Sequence, residues 1–599
     1  MAAFPLNWEL DSLLPAADSA AFQDELERYR SGLERILERS ESLPAISGDA
    51  TAAADWASFF EEFATLSAKG NDFNSFVGCC AAGDAENSLY QQLEAKLASF
   101  GPLRNAVATN VEYAVKHAPA ADFRAFLDAA PSLKEIAFFL EDARRLSTVR
   151  LPKEQERLAS ELDVDGFSAW GRLYDRLSGA LRVTVMEKGE LVKKSPGQVL
   201  FDSPERTVRQ NNFYAADKSW ATIEDTCAEC LNHIAGVRLT KYRRAGLTDH
   251  LDAPLLFNRM RRETLETMWS VVSEKRPVLV NYFNAKARLL GLEKLAWYDL
   301  TAPLPAGDSP AAKLSYDAAC DTVLRTFDDF SPDLGDFARA ALRDRWIEVE
   351  NRPGKRQGGF CTDFPTSKQS RIFMTYTDSA DSMSTLAHEL GHAYHTDVLK
   401  DEPYFLRDYP MNLAETASTF AEHVLGQERL ERAATDVERR SILDHMLSDA
   451  VAFCMNIHTR FVFEDRFHRE RAAGELPAER LSELMLDAQR ECYCDGLAAD
   501  ECNPRFWVSK LHFYITYVPF YNFPYTFGYL LSLGLYAIAR DGAADFPQQY
   551  REFLRGTGRL TAEEAVRTAF GHDLTQPDFW QTCLGEIERR VDRFVELSR

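Results

Sequence analysis

The run Ala387-His388-Glu389-Leu390-Gly391-His392-Ala393 constrains this chain more than any other seven positions in it. Residues four apart on a helix lie one above the other, so a helical reading puts His388 and His392 on one face with Glu389 beside them. Two neutral imidazoles so placed can bind a single Zn²⁺, and the neighbouring carboxylate can act on a metal-bound water. Met383, Leu386, Ala387, Leu390 and Tyr394 give the apolar stripe that a helix in a protein core requires. Gly391 costs roughly 1 kcal/mol of helix propensity against alanine, so its presence points to a close approach by backbone or substrate. The competing reading is a chance His-Glu-x-x-His on a buried helix, which composition alone would produce about once in a hundred chains of this length.

A catalytic zinc site takes three protein ligands and leaves the fourth position to water. Two histidines therefore demand a partner downstream. Pro410 just outside and Asn412 as N-cap mark a helix start for Met411 to His423, which carries Glu415 as the third ligand. Glu415 also fits the last place of an Asn-x-x-Glu capping arrangement. Ser418 and Glu422 fall on nearly the same face and could orient a histidine, and for Glu422 a surface salt bridge is equally open. His395 and His423 are the alternative ligands. His395, three residues beyond His392, would point further along the helix.

Composition narrows the setting. A formal charge of −23 and a pI near 5.1 argue against a nucleic-acid or anionic-membrane surface. The N-terminus, Met1 to Trp8, shows no basic segment followed by an apolar one, so no secretion signal is expected. Eleven scattered cysteines, an odd number, read as reduced thiols in the cytoplasm, and Cys227-x-x-Cys230 and Cys492-x-Cys494 as packing residues. No Gly-x-Ser-x-Gly is present. Phe513 to Ala539 has no charged residue and is long enough to span a bilayer. Its Pro519, Asn522, Pro524, Gly528 and six tyrosines favour a buried helix instead.

Taken in order, residues 1 to about 200 read as successive helices, among them Thr51 to Lys69, Ala85 to Phe100, Pro131 to Leu146 and Glu154 to Leu162, with Asp163-Val164-Asp165-Gly166 as a break. Arg182 to Val192 and Gln198 to Phe201 form a hairpin turning at Lys188-Gly189. Helices resume near Ser203 and run to about 350, with Ala302 to Asp308 the clearest loop. Gly354 to Phe360 reads as a flexible loop, because no Gly-Lys-Ser/Thr follows a strand. Arg371 to Thr377 reads as a strand before the His-Glu helix, with a free edge that could hold an extended peptide. The length accommodates three regions: helical 1–110, helical 111–200 and catalytic 201–599.

Several segments together carry a family resemblance. They are Gly354-Lys355-Arg356-x-Gly358-x-Phe360, Ile372-Phe373-Met374-x-Tyr376, Thr385 to Ala393, Met411 to Ala417, His512-Phe513-Tyr514 and Pro519 to Tyr529. Asn212-Phe213-Tyr214 to Leu247 and Trp297 to Leu300 fit more loosely. With these the chain resembles the oligoendopeptidase F family, in the wider group of zinc oligopeptidases that includes thimet oligopeptidase, over roughly residues 110 to 590. The resemblance implies a mainly α, two-lobed metallopeptidase with a small β-sheet beside the motif helix and a deep central channel that excludes folded proteins. It implies one zinc held by His388, His392 and Glu415, Glu389 as general base, and short unstructured peptides as substrates, cleaved internally. His512 with tyrosines of the 521–529 run matches the side chains that stabilise the oxyanion. One register selects Tyr521 and another Tyr529, with Tyr525 behind them. Two rivals stand beside this expectation: a helical metallocarboxypeptidase, and a peptide-binding protein without catalysis.

Overall fold

Aromatic residues at Trp56, Phe59, Phe60 and Phe63 share one helical face, and the segment that carries them forms the long helix Ala50–Gly83. Asp49 caps it by accepting from the backbone N–H groups of Thr51 and Ala52 at 3.0 and 2.9 Å. The computed structural model describes residues 4–199, 201–305, 313–542 and 545–599, and these are mostly helical with two small sheets. The chain divides into two compact units, each assembled from separated stretches.

The first unit takes Met1–Thr148, Ala312–Glu428 and Ile538–Gly571. Here the helix Ala50–Gly83 serves two cores. Its first half packs Trp56, Phe59, Phe60 and Phe63 against Phe126, Leu140 and Phe405. Phe73, Phe76 and Val77 of its second half meet Phe22, Leu26 and Tyr29, together with Phe364 from a sheet. Burying each such side chain contributes roughly 1.5–3 kcal/mol, so this helix anchors the unit.

That sheet has three strands: β3 (Ile347–Glu348), β4 (Phe360–Phe364) and β5 (Gln369–Phe373), in the order β3-β5-β4. β5 runs parallel to β3 and antiparallel to β4, with Phe360 opposite Phe373. The strand expected at Arg371 to Thr377 is thus present as β5, starting and ending earlier. Its expected free edge is corrected: both its edges are paired, with the outer strand β4 on one side. On the other, β3 is flanked by the N-terminal segment, where the Val349 N–H donates to the Leu6 carbonyl and the Glu9 N–H to the Arg345 carbonyl, each at 2.8 Å. The continuous burial of Ser370 to Phe373 reflects that central place. Asn71 and Ser75 of the long helix bind the side chains of Asp363 and Thr362 at 2.8 and 2.7 Å, which fixes the outer strand.

The second unit takes Val149–Ala311, Arg429–Ala537 and His572–Arg599. The expected break at Asp163 to Gly166 is instead the last turn of the helix Lys153–Gly166, and Ser168 already opens the next one. The hairpin is present, as β1 (Val183–Glu187) and β2 (Glu190–Lys194). Lys188 and Gly189 both take positive φ, 51° and 86°, as a two-residue type I′ turn demands. Its second strand lies earlier than Gln198 to Phe201, where Pro196–Gln198 is a 3₁₀ turn and Leu200 lies outside the described residues. Of the loop expected at Ala302 to Asp308, residues 302–305 carry no helix or strand, and the rest lies outside the described residues.

The core of this unit joins Cys227, Cys230, Leu231 and Ile234 of the helix Glu224–Ala245 to Phe463, Phe467, Trp507 and Tyr514. Burial pushes the Cys227 and Cys230 thiols up, to about 12 and about 11, and all eleven cysteines are unpaired. The uncharged stretch becomes the helix Phe523–Arg540, with Leu530, Leu531, Leu533 and Leu535 fully buried. A Cβ on Gly534 would stand 2.6 Å from both Cys583 and Phe579 of the helix Pro577–Leu597, so two helices pack there almost backbone to side chain. Among the described residues no helix is long and apolar enough to cross a membrane.

Candidate active site

The motif helix is Ala380–Leu399. Ser379 caps it, accepting from the Ser382 N–H at 3.1 Å, and Asp381 sits in the first turn where the helix dipole favours a negative charge. Met383, Leu386, Ala387, Leu390, Ala393 and Tyr394 are buried, so the apolar stripe faces the core. His388 and His392 are thereby held on a partly exposed side, their rings 4.8 Å apart and nearly perpendicular.

The downstream segment differs from a single capped helix. Met411 is already helical, Pro410 precedes it, and Asn412 lies inside the short helix Met411–Ala414 rather than at its cap. Glu415 separates that turn from the helix Thr416–Arg432. Gly391 explains how the two segments meet. A Cβ there would lie 2.5 Å from the Ala417 carbonyl and 2.7 Å from the Ser418 Cα, so only glycine lets the backbones approach.

The result is a convergent group. Glu415 Oε2 lies 3.4 Å from His388 Nε2 and 3.4 Å from His392 Nε2. One donor atom from each of the three falls within 4.8 Å of the others, close enough to hold one metal ion among the described residues. Two nitrogens and one carboxylate oxygen are the donor set of a catalytic zinc site, so the residues present fit that group. Glu422 accepts on His388 Nδ1 at 2.6 Å, which turns Nε2 toward Glu415 as the nitrogen that a metal would take in place of a proton. Ser384 donates to the other Glu422 oxygen, and Ser418 donates to Glu415 Oε2, each at 3.0 Å.

Electrostatics match the geometry. Burial works to lower His388, but the Glu422 hydrogen bond and the charges of Glu422, Glu415 and Glu389 prevail and lift it to about 9. Burial works to raise Glu415, but His392 and His388 prevail and hold it at about 2. The cluster thus favours positive charge on its nitrogens, as a cation would supply. Glu389 is 6 % exposed, and burial raises it above the usual carboxylate range. Its Oε2 is buried without a hydrogen-bond partner. A Cβ on Gly359, at the start of β4, would stand 3.2 Å from Glu389 Oε1, so the edge strand begins against this carboxylate.

His395 is elsewhere: fully buried, stacked on Tyr409 at 4.1 Å, with Nε2 against Thr557 Oγ1 at 2.9 Å. His423 is buried and outside the convergent group.

In the second unit, His512, Tyr521 and Tyr525 form a half-exposed aromatic cluster, with His512 5.1 Å from Tyr521 and Tyr521 5.2 Å from Tyr525. Burial, with the charges of Arg460 and Lys510, depresses His512 to about 4, so its ring is neutral at pH 7. Tyr529 is 2 % exposed and stacks on Phe453 at 4.5 Å, in the core rather than in that cluster. The connecting segment is clamped at both ends. Arg238 donates to the Ile515 and Thr516 carbonyls at 3.3 and 3.2 Å. Glu464 accepts from the Phe520 N–H at 3.3 Å and from the Asn522 amide at 2.7 Å. Phe520 itself sits at φ 52°, rare for a non-glycine residue.

Ser384, Gly359 and Glu464 are additions to the residues singled out from the sequence. Ser384 could have been found, since it lies one turn before His388 on the same face. Glu464 has no local signal, being 56 and 58 positions from the residues it binds.

Against this geometry the relatives are informative. The family model described as peptidase family M3 matches residues 199–586, and that described as oligopeptidase F matches 115–182. An oligoendopeptidase F homolog of Lactococcus lactis is 27 % identical over 74 % of this chain and 75 % of its own length. Group B oligopeptidase PepB of Streptococcus agalactiae is 27 % identical over 86 % of this chain and 85 % of its own. Among solved structures, a peptidase from Chlamydophila abortus superposes with a TM-score of 0.82 at 20 % identity, covering 99 % of this chain and 98 % of that one. Oligoendopeptidase F from Enterococcus faecium gives 0.71 at 21 %, covering 96 % and 99 %.

Proposed function

This chain belongs to peptidase family M3, as one of its oligoendopeptidase F members, and from that premise we propose that it is a zinc-dependent endopeptidase hydrolysing short unstructured oligopeptides. The observation that carries the reading is the meeting of His388 Nε2 and His392 Nε2 on Glu415 Oε2, with the unpartnered Glu389 carboxylate on the same helix.

His388, His392 and Glu415 hold the metal, one ion per chain, and Glu422 fixes the His388 ring through Nδ1. Bound there, zinc supplies Lewis acidity for the scissile carbonyl and for the attacking water. Glu389 accepts the proton of that water and delivers it to the leaving amine, a role its raised pKa suits. The free edge of β4, which starts beside Glu389, takes the extended substrate as an added strand. His512 and Tyr521 donate to the developing oxyanion. Their half-exposed cluster supports this reading and favours Tyr525 over the core residue Tyr529 as the next donor. The unpaired thiols and the acidic surface support a cytoplasmic setting with free peptides as partners.

Glu389→Gln tests the assignment. The variant should bind zinc at the wild-type stoichiometry and lose about 10²–10⁴-fold in kcat on a quenched peptide. Substantial hydrolysis by the purified, metal-loaded variant would remove Glu389 from its role.

A further inference from the structure

In a chain of formal charge −23, cations without acidic partners are conspicuous, and two lie together beside His512. Arg460 and Lys510 both stand over the Phe506 ring, at 5.5 and 5.0 Å from its centre. Neither forms an ion pair with a carboxylate among the described residues. Arg460 has one side-chain acceptor, the neutral Asn456 amide at 3.0 Å. The titratable groups that act on Arg460 are the hydroxyls of Tyr493 and Tyr525, neutral at pH 7, and the charge that acts on Lys510 is Arg460. Burial and that neighbour push Lys510 down to about 8, and burial brings Arg460 down to about 10. Placing two half-buried cations together opposes folding, because each is desolvated and each repels the other. Arg238, by contrast, spends its charge on the Ile515 and Thr516 carbonyls, so the uncompensated pair is a site that awaits an anion.

We propose that Arg460 and Lys510 form a carboxylate-binding subsite that anchors a negatively charged group of the peptide beside His512. The placing of the subsite near the reacting bond rests on the role proposed for His512 above; the binding itself does not. The carboxylate has two sources, the C-terminus of a short peptide or an Asp/Glu side chain. Arg460 supplies a planar fork and Lys510 a point charge, the two kinds of donor that bind carboxylates. A C-terminal anchor would also make short peptides better ligands than long ones.

The test uses uncleavable, N-methylated peptides on the zinc-loaded wild-type chain, with dissociation constants read by fluorescence anisotropy. Four peptides share one core: neutral with a free C-terminal carboxylate, neutral with a C-terminal amide, amide with one Glu, and amide with Gln in its place. At least one carboxylate-bearing peptide should bind about tenfold more tightly than its neutral counterpart. The member that does so identifies the source. In Lys510→Met, which keeps the stem over Phe506, that ratio should shrink to about twofold or less. Arg460→Gln provides a second variant if Lys510→Met does not fold. Equal binding of charged and neutral peptides, or a ratio that survives both substitutions, would overturn the subsite. Because binding is read without turnover, a failure of the catalytic assignment would show in the hydrolysis of ordinary peptides and leave these constants interpretable.

Discussion

His388 illustrates how one side chain is made into a ligand. Its Nδ1 faces the Glu422 carboxylate at 2.6 Å, so the proton resides there and Nε2 is left to face Glu415. Ser384 holds the far oxygen of Glu422, which keeps the carboxylate from rotating away. Removing such an outer partner typically costs 10–100-fold in metal affinity, so Glu422→Ala should release zinc to a competing chelator at about 10–100-fold lower chelator concentration. At saturating zinc its kcat should recover towards wild type, whereas His392→Ala should not recover. Unchanged metal affinity in Glu422→Ala would reduce that contact to a surface ion pair.

Elements enter through the glycine at the crossing. Gly391 permits the motif helix to lie against the Ala417–Ser418 backbone, and a methyl group there meets main-chain atoms that cannot swing aside. Gly391→Ala should destabilise the protein by about 3 kcal/mol, at the upper end of overpacking costs, and displace Glu415 from the histidines. Thermal denaturation together with zinc stoichiometry would check this. A variant with wild-type melting and full zinc would mean that the two helices are freer to separate than their contact suggests. At this scale the legibility of the sequence divides by range. The spacing of His388 and His392 and the apolar stripe beside them are local, and the motif helix follows the pattern closely. β5 was visible as an apolar run, but its central position depends on β3, a strand of two residues, and on β4, which pairs across a turn. Nothing in residues 371–377 could announce that both edges are taken. The Asp163 to Gly166 stretch was misleading for a similar reason. Its residues favour turns in isolation, yet they complete a helix whose next neighbour starts at Ser168.

On the scale of the whole molecule, each unit carries its own cluster of candidate residues. The first holds the convergent histidines and glutamates on a helix capped by Ser379 and backed by the sheet. The second holds the His512, Tyr521 and Tyr525 cluster on a segment clamped by Arg238 and Glu464. The metal-binding side was readable because the chemistry imposes a spacing on one helix and a carboxylate soon after it. The tyrosine side was not, because a run with tyrosines at 521, 525 and 529 offers several registers and only burial separates them: Tyr529 is inside, and the other two reach the surface. The two cations over Phe506 were invisible for the same reason, being fifty positions apart in the chain.

The central claim is that this chain cleaves peptides internally and needs its metal to do so. Mass spectrometry of a short peptide, blocked at its N-terminus and amidated at its C-terminus, tests that in one experiment with and without a chelator. The account predicts two internal fragments, their loss when the chelator is present, and their return when zinc is restored. Release of single C-terminal residues from a free-acid peptide only, or fragments that persist through metal removal, would contradict it.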